Sequence, residues 1–563
     1  MDKIHYQEYL QAYFQKAARC VETLRSRLPN VAMHFSQSPD AQGQLNYFAA
    51  SQVFNTRFQH SPLAVVYCEK PEHVSIAYRA AIDNEIPVRV RAGGHDHEGE
   101  SSGTNVVLID VSKMDYIKVD KSTGIAHIGA GNRFSRLTEV LAAEDVMITH
   151  GTCSSVGITG FTLGGGWGPW TRKKGLNCEH LKGATLMLGD GEVINVDEDE
   201  NGNVPPLLWA LRGGGGMSYG IVTELRIQTF ELPNELIKFT LEWNKYDGKE
   251  EDQRPTLAIL KAWENVIQAT DTPQLIGTNI KINARPEVFD FDYTQIAHNC
   301  SMYGFWEGTE GDLRDFVQKH FADVPVQITG RGGKAHKDSA ALYRGDTDFM
   351  NDWHRESFSK IQTKIRTERL ALDQSGDLPQ GKPIKPDLMD PAPHKLTSRL
   401  VNKEGLGYEG EEGYKQLLSS ITSPLIFKEN RDSGLFTYLT LNAIVGDYYR
   451  NNTDKDDKSA FPYKDKLYSI QYQTWWNKAD KDSEYENPSQ AKLVYNNINR
   501  AMDWVHAGRN WVIPNTSGAF ISFKDISIPT SVYFDKNYDK LKDIKAEYSR
   551  DPYNHLRTHK TII

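Results

Sequence analysis

Two side chains with reactive heteroatoms sit in glycine-rich loops. His95 follows Gly93-Gly94, and Cys153, 58 residues later, lies in Gly151-Thr152-Cys153-Ser154-Ser155-Val156-Gly157. A neutral imidazole and a thiolate are both nucleophiles. Bare backbone N–H groups in a Gly-Gly turn form a concavity for anions, and a dinucleotide pyrophosphate needs such a concavity. Two further stretches repeat the theme: Gly157-Ile158-Thr159-Gly160-Phe161-Thr162-Leu163-Gly164-Gly165-Gly166-Trp167-Gly168 and Arg212-Gly213-Gly214-Gly215-Gly216-Met217-Ser218-Tyr219-Gly220-Ile221-Val222. Glycine at this density costs chain entropy, which close approach of backbone to a flat ligand explains. No Gly-x-Gly-x-x-Gly opens a helix here, and no Gly-Lys-Ser/Thr loop is present, so a Rossmann site and phosphoryl transfer are both disfavoured.

These loops need rigid elements behind them. Ala64–Cys68, Pro87–Arg91, Val106–Asp110, Ile125–Gly131, Ala184–Leu188 and Leu225–Phe230 read as short strands, with a helix from Pro71 through Ala81. Their irregular alternation predicts an α+β organisation rather than regular βαβ winding. The composition divides the chain into a helical segment (1–57), a loop-rich domain (58–234), a second α+β domain (235–500) and a tail (501–563). The second domain opens with the strand Leu236–Leu241 and the helix Pro255–Ile267, and carries a polar insert from Gln374 to Pro391. In the tail, Ala519–Phe523 reads as a strand and Tyr538–Tyr548 as a helix.

Composition narrows the class. With 563 residues, 39% hydrophobic and 25% charged, the chain is long enough for more than one core. A net charge of −9 without a long basic run disfavours a nucleic-acid partner. No apolar leader or membrane-length apolar run appears, so a cytoplasmic protein without a membrane partner is expected. The five cysteines show no metal-ligand spacing, and no metal site is expected.

The Gly-Gly-His, Gly-Thr-Cys-x-x-Val-Gly, Leu-Gly-Gly-Gly-x-Gly and Leu-Trp-Ala-Leu-Arg-Gly-Gly-Gly-Gly segments, in this order, resemble the berberine-bridge-enzyme-like branch of the vanillyl-alcohol-oxidase superfamily. So do the tail segments Tyr533–Lys542 and Asp551–Asn554. The resemblance runs from about residue 60 to the end. It implies a PCMH-type FAD-binding domain beside a substrate domain made of an antiparallel sheet covered by helices. It also implies bicovalent FAD, with His95 on the 8α-methyl and Cys153 on C6. Arg91, Ala92, Gly93, Gly94, Gly99, Gly157 and Gly160 become cofactor contacts, Ile221 and Val222 approach the adenine side, and Asn537 the isoalloxazine. Val156 stands at the position governing oxygen access. Met217 replaces a glycine of the relatives.

The implied reaction is hydride transfer from a substrate C–H, in an alcohol or amine, to flavin N5. Reoxidation by O2 then gives H2O2. The proton acceptor is the weakest point. Sugar-oxidising relatives use a tyrosine where this chain has Phe520-Ile521-Ser522-Phe523. Asp447 therefore becomes the expected base, with Tyr448, Tyr449, Tyr472 and Gln471 as pocket residues and Tyr303–Trp306 and Trp475-Trp476 as aromatic walls. Loss of the phenols favours a small secondary metabolite as substrate. A mono- or oligosaccharide oxidase and a flavoprotein cyclase without net oxidation are the alternatives.

Overall fold

The apolar runs of the first half become strands of two sheets. The structure, a computed structural model, describes residues 3–244, 253–326, 328–329, 391–430, 435–452, 458–476 and 488–563. Met33–Phe35 (β1), Ala64–Tyr67 (β2), Val88–Arg91 (β3) and Val107–Asp110 (β4) form a sheet in the order β1-β2-β4-β3, parallel except for β1. Ile117–Asp120 (β5), Ile125–Gly129 (β6), Leu181–Met187 (β7), Val193–Asp197 (β8) and Ile221–Gln228 (β9) form an antiparallel sheet in the order β5-β6-β9-β7-β8. The helix Pro71–Ile82 starts on a proline, which lacks only an N–H the first turn leaves unbonded, and buries Val74, Ala77 and Tyr78.

The second body is an eight-stranded antiparallel sheet of Ile237–Trp243 (β10), Leu275–Asn283 (β11), Cys300–Trp306 (β12), Ile328–Thr329 (β13), His394–Val401 (β14), Leu435–Ala443 (β15), Tyr468–Trp476 (β16) and Thr516–Ser517 (β17). Their order is β13-β10-β12-β11-β15-β16-β14-β17. Ile280, Ile282, Leu439, Leu441, Ile470 and Tyr472 point to one face, where Trp263, Leu417 and Trp504 of covering helices complete a core. The other face turns toward the first body. All nine residues of β16 are buried, so neither face carries the polar surface signature of a half-exposed strand. The α+β reading holds. Among the described residues, no helix is long and apolar enough to cross a membrane.

The domain limits read from composition change in two places. Residues 1–57 are not a separate segment: Ala17, Cys20, Leu24 and Leu28 of the helix Lys3–Arg27 pack into the core of the first sheet, and β1 is its edge strand. The limit at 501 falls inside the helix Pro488–Asn510, and β17 still pairs with β14, so the returning segment starts after Ser517. There Gly518 takes a φ of +64° and turns the chain, leaving a short 3-10 turn at Ile521–Phe523 instead of a strand. The polar insert, up to residue 390, lies outside the described residues.

Candidate active site

The His95 and Cys153 loops are in backbone contact. A β-carbon on Gly93 would lie 2.4 Å from the Gly157 nitrogen, and one on Gly157 would lie 2.6 Å from the Gly93 nitrogen. Only a glycine pair permits this approach, and it brings together two loops far apart in sequence. The start of the helix Phe134–Ala143 fixes the cysteine loop from behind: Phe134 N–H donates to the Val156 carbonyl (3.1 Å) and Ser135 N–H to the Ser154 carbonyl (2.9 Å).

Cys153 is half-buried, whereas the other four cysteines are buried. Burial pushes the Cys20 thiol up to about 12 and raises those of Cys68, Cys178 and Cys300 as well, which closes thiolate chemistry to them. The His95 ring stacks on Phe54, with centroids 3.4 Å apart and planes at 20°. Phe54 N–H donates to the Gly94 carbonyl (3.0 Å), and Arg91 supports the stack from behind. It pairs with Asp110 at 2.5 Å and donates to the carbonyls of Ala50 (2.7 Å) and Gln52 (3.0 Å), anchoring the segment that carries Phe54.

His97 Nδ1 lies 2.9 Å from His394 Nε2, and His394 stacks on Trp475 with centroids 3.8 Å apart. Burial pulls the His97 imidazole down to about 4 and that of His394 well below its ordinary value, so both are neutral near pH 7. An ionic web braces the same loop. Lys524 donates to Asp96 (2.6 Å) and Glu100 (2.9 Å), and Lys395 donates to Glu98 (2.5 Å) and Asp525 (2.8 Å). Burial raises the Asp525 carboxyl, but Lys395 outweighs it and holds the group at about 2. The web ties the His95 loop to β14 and to the C-terminal segment.

A cavity of about 590 Å³ opens between these loops and the large sheet. Its sheet wall is built by register. Tyr303, Asn279, Asn442 and Ser469 face one another across β12, β11, β15 and β16, and Ser301, Lys281, Thr440 and Gln471 form the adjoining row. In a third row Asn283 pairs with Tyr438 and Tyr438 with Gln473. Side chains two apart on a strand share a face, so the three rows make one polar surface. Gln473 donates to Thr440 (2.9 Å), Asn442 to Ser469 (3.2 Å) and Trp475 to Gln473 (3.0 Å). Lys281 Nζ stands 4.2 Å from the Tyr438 ring centre. The second row continues to Glu242 of β10, opposite Ser301, but Glu242 is not among the residues that line the cavity.

His95, Cys153, Ala92, Gly93, Gly94, Val156, Gly157, Gly160, Ile221 and Val222 all line the cavity, as do Gln471, Tyr303 and Trp475. Arg91, Gly99 and Asn537 do not line it. Arg91 is the brace described above, Gly99 packs under Phe58, and Asn537 donates to the Ala460 carbonyl at 3.1 Å. The expected base and its neighbours also fall elsewhere. Asp447 opens the short helix Asp447–Asn451, Tyr448 packs on Gly175, and Tyr449 reaches Glu179 and the Leu176 N–H. Tyr472 lies on the opposite face of β16, bonded to Ser420 at 2.7 Å. The phase of the strand decides this: Gln471 and Gln473 face the cavity and Tyr472 cannot. Phe305, Trp306 and Trp476 pack into cores.

Phe54, His97, Asn279, Lys281, Thr440, Asn442 and Gln473 were not foreseen as cavity residues. A signal for one of them existed, since Gln473, like the expected Gln471, alternates with Ile470 and Tyr472. Met217, unusual in a glycine run, has a φ of +58°, the left-handed region where a glycine would be unstrained. The residues fit a flavin dinucleotide. β-Carbons placed on Gly160 and Gly216 would meet nothing within 4 Å, so the backbone there fronts empty space in the cavity, beside Ile221 and Val222.

Comparison with known proteins agrees with this geometry. Residues 62–197 match the model of an FAD binding domain, and residues 519–563 match that of the berberine and berberine-like family. The chain is 23% identical to berberine bridge enzyme-like 2 of Arabidopsis thaliana, over 99% of this chain and 93% of that protein. It is 32% identical to the glucooligosaccharide oxidase of Sarocladium strictum, over 41% of this chain and 44% of that protein. Among solved structures, a glucooligosaccharide oxidase of Acremonium strictum superposes with a TM-score of 0.70 at 20% identity, over 97% of this chain and 98% of that one.

Proposed function

We propose that the chain, as a berberine bridge enzyme-like FAD-linked oxidoreductase, oxidises an alcohol carbon of a small polyhydroxylated substrate, with O2 as electron acceptor and H2O2 as by-product. The polar rows of the sheet wall carry this reading. Amide, hydroxyl and phenol groups suit the hydroxyls of a sugar-like molecule, each polar pair strengthening discrimination against analogues that lack the partner. A cationic amine would meet Lys281 on the sheet, and the two lining carboxylates, Asp96 and Glu100, are already paired with Lys524, so the alcohol is favoured over the amine.

FAD, when bound, supplies the hydride acceptor. His95 and Cys153 would tether it, and their converging loops give the proposal its geometry. The chain itself must orient the substrate and take the hydroxyl proton. Of the sheet residues lining the cavity, Tyr303 and Lys281 are ionisable. Tyr303 sits opposite Asn279, and Lys281 lies two residues beyond Asn279 on the same face. Such diagonal neighbours stand about 7–8 Å apart, within reach of a long ammonium. Tyr303 Oη is the proposed proton acceptor, with Lys281 as its cationic neighbour on the same face of the sheet.

A peroxide-coupled assay tests this. Neutral mono- and oligosaccharides should give stoichiometric H2O2, and Tyr303→Phe should lower kcat by about 10²-fold or more, the usual contribution of a general base. Turnover confined to alkaloid amines would overturn the substrate reading, and product without peroxide would favour a cyclase. Acid-precipitated protein should stay yellow, and His95→Ala with Cys153→Ala together should release all flavin.

A further inference from the structure

We propose that His97 is the proton acceptor for covalent attachment of the flavin to His95, and that His394 sets the tautomer that makes it one. The proposal rests on the tethering at His95 advanced above. His394 Nδ1 lies 2.8 Å from the Ala392 carbonyl, which can only accept, so Nδ1 carries the proton. The buried ring is neutral, which leaves the lone pair on Nε2. That nitrogen is 2.9 Å from His97 Nδ1, so His97 Nδ1–H must be the donor. His97 is neutral too, and its own lone pair therefore sits on Nε2.

His97 lines the cavity, with its ring edge-on to His95 at a centroid distance of 5.8 Å and an angle of 89°. The nearby carboxylates of Asp96 and Glu100 are committed to Lys524 and do not compete as bases. Two residues past the nucleophile, the loop thus presents an unprotonated imidazole nitrogen.

The chemistry of attachment needs one. A C–H bond of the ring methyl breaks and a C–N bond to His95 forms. The methyl proton passes to His97 Nε2, and the electron pair of the C–H bond enters the isoalloxazine, reducing it by two electrons. The His95 N–H proton leaves to water. O2 then takes up the two electrons and two protons as H2O2. His97 acts only in attachment and has no part in substrate turnover.

The test uses the Cys153→Ala background, where His95 is the remaining tether, in protein produced under flavin limitation and then given FAD. Covalent flavin is read as fluorescence of the denatured chain and as intact mass. Adding His97→Asn should leave FAD bound but slow covalent incorporation on the order of a hundredfold, the scale of a lost general base. Added imidazole should restore part of the rate. Unchanged incorporation in His97→Asn would overturn the proposal. Absence of covalent flavin in the parent protein would instead overturn the tethering reading. Should His97→Asn fail to fold, two variants at His394 decide. His394→Gln keeps an acceptor for His97 Nδ1–H and should retain attachment, whereas His394→Phe keeps the stack on Trp475 and should lose it. Equal rates in these two would reject the role of His394 and with it the assigned lone pair.

Discussion

The two sides of the cavity are built on different principles. The flavin side comes from two loops, each a few residues long, whose glycines, histidine and cysteine are contiguous in sequence. The sheet side comes from four strands contributing one to three residues apiece, with partners such as Asn279 and Asn442 more than 160 residues apart. A loop motif states its chemistry locally, because the same residues shape the backbone and carry the reactive atoms. A wall assembled across strands states its chemistry only once register is known. The contrast extends to what holds each side in place: glycine contact and an ionic web for the loops, a helix-covered apolar core for the sheet.

Breaking the loop contact should produce the largest effect. Gly157→Ala forces a β-carbon to 2.6 Å from the Gly93 nitrogen, and the loops must separate. We expect covalent flavin to be lost entirely, measured as free flavin after acid precipitation, with destabilisation of about 1–3 kcal/mol, typical of overpacking. Gly160→Ala is the contrast. Its β-carbon meets no protein atom within 4 Å, so the fold should be unchanged while cofactor occupancy falls. Equal melting temperatures for Gly157→Ala and wild type would refute the contact as the organiser of the site.

Acid should act next, and on both sides. Burial lowers His97 and His150 to about 4 and His298 to about 3. Each is lower in the folded chain than in the unfolded chain, so the unfolded state binds more protons below about pH 6.5. The stability these groups support is intact above that pH. It falls as pH drops toward 4, by about 1.4 kcal/mol per pH unit for each histidine. Asp525, held at about 2, extends the loss below about pH 4. Denaturant titrations between pH 7 and 4 should show the decline, and a flat profile would contradict the buried neutral imidazoles. His298, bonded to Thr256 and Thr422 in the second body, should report independently of the flavin.

How much of this was legible in the sequence follows the same division. The His95 and Cys153 loops were readable from local pattern, and Ile221 and Val222 through the family resemblance; all line the cavity. The predicted base was not, because Asp447 follows a strand whose cavity-facing residues end at Asn442, and the chain has by then turned toward Glu179. Phe54 was hidden for a different reason. It carries no motif and reaches His95 because its own N–H donates to the Gly94 carbonyl (3.0 Å) and because Arg91 draws residues 50–52 to the strand end. The first 57 residues read as an isolated helical segment since helical periodicity reports a buried stripe but not what buries it.

Wall substitutions give a graded test. Gln471→Leu and Asn442→Leu each remove hydrogen-bonding capacity on the cavity face. We expect kcat/KM to fall about tenfold to a hundredfold for the preferred polyol, the scale of about 1–3 kcal/mol for one unmet polar group, with flavin content unchanged. An unaltered kcat/KM in both would place the substrate elsewhere.

The smallest expected effect sharpens the comparison most, because it separates neighbours in sequence. Tyr472 lies between Gln471 and Gln473, yet its hydroxyl bonds Ser420 beneath the sheet. Tyr472→Phe should therefore cost about 1 kcal/mol of stability, the net worth of one buried hydrogen bond, and leave kcat and KM as they were. A kinetic defect without a stability change would mean that β16 presents its other face to the cavity. The rows containing Thr440 and Gln471 would then shift with it, and the sugar-like character assigned to the wall would no longer hold.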